Sequence, residues 1–131
     1  MSKVGSVLFA DDCETLREFV KIILNEEIPE YNIETFESGE KLLSRLEKNI
    51  EDVKLVIVDN QMPPGISGID IIKYHKYKGK IPFILYTSDD NGIGEEAVKH
   101  NASYVKKSSD ETELLTIVKE ALNAIGKRQF L

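Results

Sequence analysis

Short apolar runs alternate with longer amphipathic stretches along this chain. Val7-Leu8-Phe9-Ala10, Leu55-Val56-Ile57-Val58 and Phe83-Ile84-Leu85-Tyr86 are continuous apolar runs. Runs of this length read as strands buried on both faces, as in a parallel sheet. Ile33-Glu34-Thr35-Phe36 alternates, which predicts a strand nearer an edge, and Ala102-Ser103-Tyr104-Val105 is a less apolar candidate for the other edge. Helical patterns fill the gaps. Leu16, Phe19, Val20, Ile23 and Leu24 form one apolar stripe at helical spacing. Leu42, Leu43 and Leu46 follow an N-cap candidate, Ser38. A third helix is expected from Ile69 to Tyr77, ending by Gly79, and a short polar one from Gly94 to Lys99. Leu114, Ile117, Val118, Ala121, Leu122 and Ile125 mark the last. Asp110 and Glu113 resemble a capping box at its start, and Gly126 is read as its stop. Five strand–helix units in succession predict an α/β fold, a doubly wound parallel sheet with helices on both faces and right-handed crossovers.

The polar residues that follow the strands carry the chemistry. Ligands of open α/β sheets bind outside the carboxyl ends of the strands, where the strand order switches. Asp11 and Asp12 follow the first strand, Asp59 the third, Thr87 and Ser88 the fourth, and Lys106 and Lys107 the fifth. After the second strand there is only Glu37-Ser38-Gly39. An order of 2-1-3-4-5 would make the other four strands neighbours and bring the three carboxylates together. Crowded carboxylates either protonate or hold a cation. Mg²⁺ suits them, since it takes hard oxygen ligands and is commonly held by one or two carboxylates plus phosphate oxygens. A lysine offers a compact charge to a phosphoryl group, and a threonine hydroxyl offers a hydrogen bond. A carboxylate can itself be phosphorylated. Taken singly, each element has an ordinary reading. Asp11-Asp12 fits a helix N-cap, Asp59 a turn, Thr87-Ser88 a loop and Lys106-Lys107 a solvated pair. The joint placement on one sheet edge points to metal-assisted phosphoryl chemistry.

Composition narrows the classes. With 131 residues, 41% of them hydrophobic, the chain fits one folded domain. Residues 1–131 are read as that domain, with a core of about 7–125 and a short solvated tail at 127–131 that includes Lys127 and Arg128. A net charge of −6 disfavours direct nucleic-acid binding and adhesion to anionic lipid. No apolar run approaches the ~20 residues of a membrane span, and the start is not a secretory signal. One cysteine, Cys13, excludes an internal disulfide framework, so a cytoplasmic location is expected. Cys13 is read as a small packing residue, and His75 and His100 as surface residues. Tyr74 and Tyr77 are left open between packing and binding.

The segments VLFADD, LVIVDNQMP, IPFILYTS and SYVKKS, in this order and at these separations, resemble a response-regulator receiver domain of two-component signalling. The likeness covers about Val7 to Ile125 and is of the single-domain, chemotaxis-regulator-like kind. It implies a flavodoxin-like five-stranded parallel sheet of order 2-1-3-4-5 with five helices. By that resemblance Asp59 is the phosphoacceptor. Asp11 and Asp12 are the acidic pair for Mg²⁺ (Mn²⁺ is an alternative), with Asp59 and the main-chain carbonyl of Gln61 completing the ligands. Thr87 and Lys107 meet the phosphoryl group, and Tyr104 is the aromatic switch residue. Gln61 and Asp89 flank the path of attacking water and tune phosphoryl lifetime. The surface of the fourth helix, fifth strand and fifth helix carries the output.

There are departures from the family pattern. Ser108 replaces the usual proline after the lysine, so the Lys107–Ser108 bond is expected trans, or else locally strained, since a cis bond there costs about 2.5–4 kcal/mol. The loop Met62 to Gly68 is one residue longer than the common pattern. Asn101-Ala102 stands for the usual Gly-Ala, and asparagine tolerates a left-handed backbone next best. The resemblance implies a phosphorylation-dependent switch rather than an enzyme, one that assists its own phosphorylation and dephosphorylation. Its partners would be a sensor histidine kinase or histidine phosphotransfer protein and a downstream protein target. Alternatives are a constitutive interaction module with a silent site, and a Mg²⁺-dependent phosphatase with an aspartate nucleophile. The latter needs a second aspartate where Gln61 stands. A flavin-binding flavodoxin lacks its phosphate loop here.

Overall fold

The computed structural model describes residues 3–74, 80–108 and 110–129, the last four by backbone alone. Strands and helices alternate in chain order. They are β1 (Ser6–Ala10), α1 (Glu14–Glu27), β2 (Asn32–Phe36), α2 (Gly39–Lys48), β3 (Val53–Val58), α3 (Gly68–Tyr74), β4 (Phe83–Thr87), α4 (Ile93–Lys99), β5 (Ser103–Lys106) and α5 (Thr112–Gln129). All four strand pairings are parallel, and the sheet order is β2-β1-β3-β4-β5, as expected.

Alternation along each strand sends side chains to two separate cores. Leu8, Ala10, Val56, Val58 and Leu85 pack on the side of Leu42, Leu46, Ile69, Ile72 and Ala97. Val7, Phe9, Leu55, Ile57, Ile84 and Val105 face Val20, Leu24, Leu114, Val118 and Leu122 of α1 and α5. Both faces of the central strands are therefore dry, which is why their sequences are apolar throughout. The edge strand β2 buries Ile33 and leaves Asn32 exposed. Arg45 of α2 ties that edge down. Its guanidinium donates to Glu34 on β2 at 2.8 Å and to Asp52 at 3.0 Å.

The helix signals hold at Ser38, whose side chain accepts from the Lys41 amide at 3.1 Å. At α5 the Asp110 carboxylate accepts from the Thr112 amide at 2.9 Å, and no return bond from Glu113 is seen among the described residues. The reading of Gly126 as a stop is corrected, because α5 continues to Gln129 and leaves no tail beginning at 127. A glycine inside a helix costs only about 1 kcal/mol, which a packed helix of this length absorbs. Phe19 is also corrected, since it is 48% exposed and sits at the margin of the α1 stripe. Cys13 is an exposed N-cap of α1, not a packing residue. His100 is half-buried rather than a surface residue. Tyr74 points outward, while His75, Tyr77 and the expected helix end at Gly79 lie outside the described residues. Asn101 adopts φ 66°, the left-handed conformation expected of it. Lys107–Ser108 is trans; the cis bond of the described chain is Pro63–Pro64.

Candidate functional site

Strand register brings the polar residues to one edge. Ala10 pairs with Val58, Val58 with Leu85, and Thr87 with Lys106. The ladder continues one step past the strands: the Asp59 amide donates to the Ala10 carbonyl at 3.0 Å, and the Lys107 amide to the Thr87 carbonyl at 2.9 Å. The residues that follow these strands therefore open into one cleft. Asp11, Asp12 and Asp59 each offer a carboxylate oxygen, and these atoms lie within 4.8 Å of one another. Asp11 is fully buried, Asp59 buried and Asp12 exposed.

Lys107 reaches into this cluster. Its Nζ is 2.7 Å from Asp11 Oδ2 and 3.3 Å from Asp59 Oδ1, and it also lies 5.8 Å from the centre of the Tyr86 ring. Strand alternation places Lys107 on the same side as buried Val105, whereas Lys106 turns outward and pairs with Asp90 at 2.9 Å. Of the two lysines, the second is thus the one that joins the carboxylate cluster. Burial alone would lower the Lys107 pKa, but Asp11 and Asp59 outweigh it and hold the ammonium above its ordinary value. Burial, then the Asp11 charge, push the Asp59 carboxyl up, and Lys107 and the Asn60 amide only partly offset this. The site holds more negative charge than one lysine neutralises. Clustered hard oxygen donors with excess negative charge fit Mg²⁺, so the donor set matches the cation that the sequence pointed to.

Thr87 is buried at the end of β4, and its Oγ1 accepts from the Asp89 amide at 3.3 Å. Tyr104, half-buried on β5, donates its hydroxyl to the Asp89 carbonyl at 2.8 Å. Thr87, Asp89 and Tyr104 are therefore directly linked. The Gln61 side chain is exposed. Beyond it the longer loop is held to α2, where the Glu40 carboxylate accepts from the Ile66 amide at 2.8 Å.

Two contributors were not picked out in the sequence. Arg17 donates to the main-chain carbonyl of Asp11 at 2.7 Å, while the Cys13 amide donates to Asp11 Oδ1 at 2.9 Å. Asn60, next to Asp59, uses every polar group it has. Its amide donates to Asp59 Oδ1 at 2.8 Å, and its carbonyl accepts from Gly68 at 2.8 Å. Its Oδ1 accepts from the Ile69 amide at 3.1 Å, and its Nδ2 donates to Asp89 Oδ2 at 2.9 Å. Nothing in the sequence marks this residue beyond its place after Asp59, because its partners Gly68, Ile69 and Asp89 meet it only in the fold.

Comparison with known proteins agrees with this geometry. The sequence profile described as the response regulator receiver domain matches residues 7–119. Response regulator TrrA from Thermotoga maritima, in complex with Mg²⁺-BeF, is 34% identical with a TM-score of 0.78, over 90% of this chain and 99% of that one. A chain from the complex of histidine kinase ThkA with TrrA is also 34% identical, TM-score 0.76, over 90% and 98%. A receiver domain protein from Clostridium thermocellum is 25% identical, TM-score 0.82, over 97% and 99%. No curated protein matches the chain. Among the described residues no helix is long and apolar enough to cross a membrane. Fold, acidic cluster and sequence profile agree: the chain belongs to the response regulator receiver domain family.

Proposed function

We propose that this chain is a phosphorylation-dependent signalling switch in which Asp59 accepts a phosphoryl group from a phosphohistidine. The observation that carries the reading is Lys107 held between Asp11 and Asp59, at the edge of a three-carboxylate cluster. An Asp59 carboxylate oxygen attacks phosphorus. The P–N bond to the donor imidazole breaks, its electron pair stays on the nitrogen, and that nitrogen takes up a proton. Asn60 and Lys107 both bond Asp59 Oδ1 and so orient the carboxylate for this attack. Lys107 then faces the added charge, and the Thr87 hydroxyl donates to a phosphoryl oxygen.

Asp11, Asp12, Asp59 and the Gln61 carbonyl would hold Mg²⁺, with Mn²⁺ as a substitute of the same ligand preference. When bound, the cation supplies charge neutralisation for the transferring group. Gln61 and Asp89 flank the approach of water, so the domain also assists its own dephosphorylation. Rearrangement at Thr87 passes through Asp89 to Tyr104 and the face of α4, β5 and α5. A hollow there is lined by Gly94, Glu95, Val98, Lys99 and Tyr104, and Val98 is 60% exposed. That face suits a downstream protein target. The donor would be a sensor histidine kinase or a phosphotransfer protein, in keeping with the ThkA–TrrA complex.

Beryllofluoride titration tests the proposal. Chemical-shift changes at Thr87, Tyr104 and Lys107 that require both Mg²⁺ and Asp59 are expected. Shifts that persist in Asp59→Asn, or none in wild type, would leave only a constitutive interaction module.

A further inference from the structure

Asp89 is held at three points in the described structure. Its amide meets Thr87 Oγ1, its carbonyl meets the Tyr104 hydroxyl, and its carboxylate meets Asn60 Nδ2. The first two contacts lie within the β4–β5 side of the cleft. The third crosses to the segment that carries Asp59. Asn60 is 8% exposed, and its own backbone is fixed by Asp59 Oδ1 and by Gly68. Its side-chain oxygen is taken by the Ile69 amide, so the Nδ2 group cannot turn away without leaving that buried amide unpaired. The amide is therefore a fixed donor aimed at Asp89, and the bond it makes carries a full negative charge.

Resting on Asp59 as phosphoacceptor, we propose that Asn60 is a positioning residue that anchors the Asp89 carboxylate at the rim of the phosphoryl site and thereby sets phosphoryl lifetime on Asp59. A half-buried carboxylate beside a phosphoryl group of charge about −1.5 to −2 acts on water and on that charge according to where it is held. Without Asn60 the Asp89 side chain regains its rotamers and samples solvent. The Asn60 side chain acts through Asp89 and does not touch the transferred group, while the main-chain amide that meets Asp59 Oδ1 is kept in every variant.

The test is a double-mutant cycle on phosphoryl decay. Wild type, Asn60→Ala, Asp89→Ala and the double variant are phosphorylated with acetyl phosphate in Mg²⁺. The donor is removed, and loss of the adduct is followed by intact mass. Each single variant is expected to change the decay rate at least threefold, in the same direction. The double variant is expected to match either single, because both remove one contact. Melting temperature separates packing from positioning. Asn60→Ala lowers it through the unpaired Ile69 amide in either background, but changes decay only where Asp89 is present. Asn60→Asp keeps an acceptor for Ile69 and replaces the donor with a charge that repels the Asp89 carboxylate, so it serves if Asn60→Ala fails to fold. Decay unchanged in the Asn60 variants, or rate effects that multiply in full, overturns the inference. A wild type that never labels fails differently, since it removes the phosphoacceptor assignment itself.

Discussion

Gly68→Ala joins packing to function at a single atom. Gly68 opens α3 directly over the phosphoacceptor segment. A Cβ added there would fall far inside 3.0 Å of the Asp59 carbonyl oxygen, 2.9 Å from the Asp59 carbonyl carbon and 3.2 Å from Asn60 Cα. These are backbone atoms and cannot rotate aside, so α3 and the Asp59 segment must part by roughly 1 Å. If α3 moves, the bonds from Gly68 and Ile69 to Asn60 lengthen. Overpacking of about 1–3 kcal/mol plus weakened buried hydrogen bonds then gives a loss of about 2–4 kcal/mol. In a domain of this size that lowers the melting temperature by about 10 °C. If the Asp59 segment moves instead, the nucleophile is displaced. A misplacement of about 1 Å costs on the order of 100-fold in rate. Thermal unfolding by circular dichroism reads the first route, and the rate of adduct formation with acetyl phosphate reads the second. Gly92→Ala is the control. Gly92 has φ +88° and nothing within 4 Å, so it carries left-handed strain of about 1–2 kcal/mol and no clash. It should melt about 5 °C lower and label at the normal rate. A Gly68→Ala protein that melts within about 2 °C of wild type and labels equally fast would refute the rigid contact.

Saturating Mg²⁺ at about 100 times its Kd should stabilise wild type by about 2.7 kcal/mol, and Asp12→Ala should lose most of that thermal shift. Because burial and Asp11 raise the Asp59 pKa, its ionised form is disfavoured in the folded chain. That destabilisation is absent below the unfolded carboxylate pKa of about 4 and complete above the raised value. Asp59→Asn should therefore melt higher than wild type in metal-free buffer at neutral pH, with the advantage fading as pH falls toward about 3; equal melting at neutral pH would contradict the charge argument. Arg45→Met should cost about 1–2 kcal/mol, between the exposed and buried limits for ion pairs, because it frees Glu34 and Asp52. It lies away from the cleft, so adduct formation should be unchanged.

The sheet was legible because both its faces are covered, which makes β1, β3 and β4 uniformly apolar and their ends abrupt. The positions of Asp11, Asp59 and Thr87 were legible because each directly follows an apolar run. What stayed hidden depends on tertiary contact. Val20 and Leu24 face the core while Phe19, in the same stripe, is left at its margin. Gly126 has the composition of a helix stop, yet α5 passes through it. Asn60 reads as one polar residue in DNQMP until α3 and the β4–α4 loop are brought against it. Lys106 and Lys107 are chemically alike, and only strand alternation decides which one reaches Asp11.

Phosphorylation of Asp59 is the step on which the proposed switch depends. Its most direct test is the intact mass of wild type and Asp59→Asn after incubation with acetyl phosphate, with and without Mg²⁺. One phosphoryl adduct is expected, on wild type alone and only with Mg²⁺. An adduct of equal yield on Asp59→Asn, or one indifferent to Mg²⁺, would contradict it.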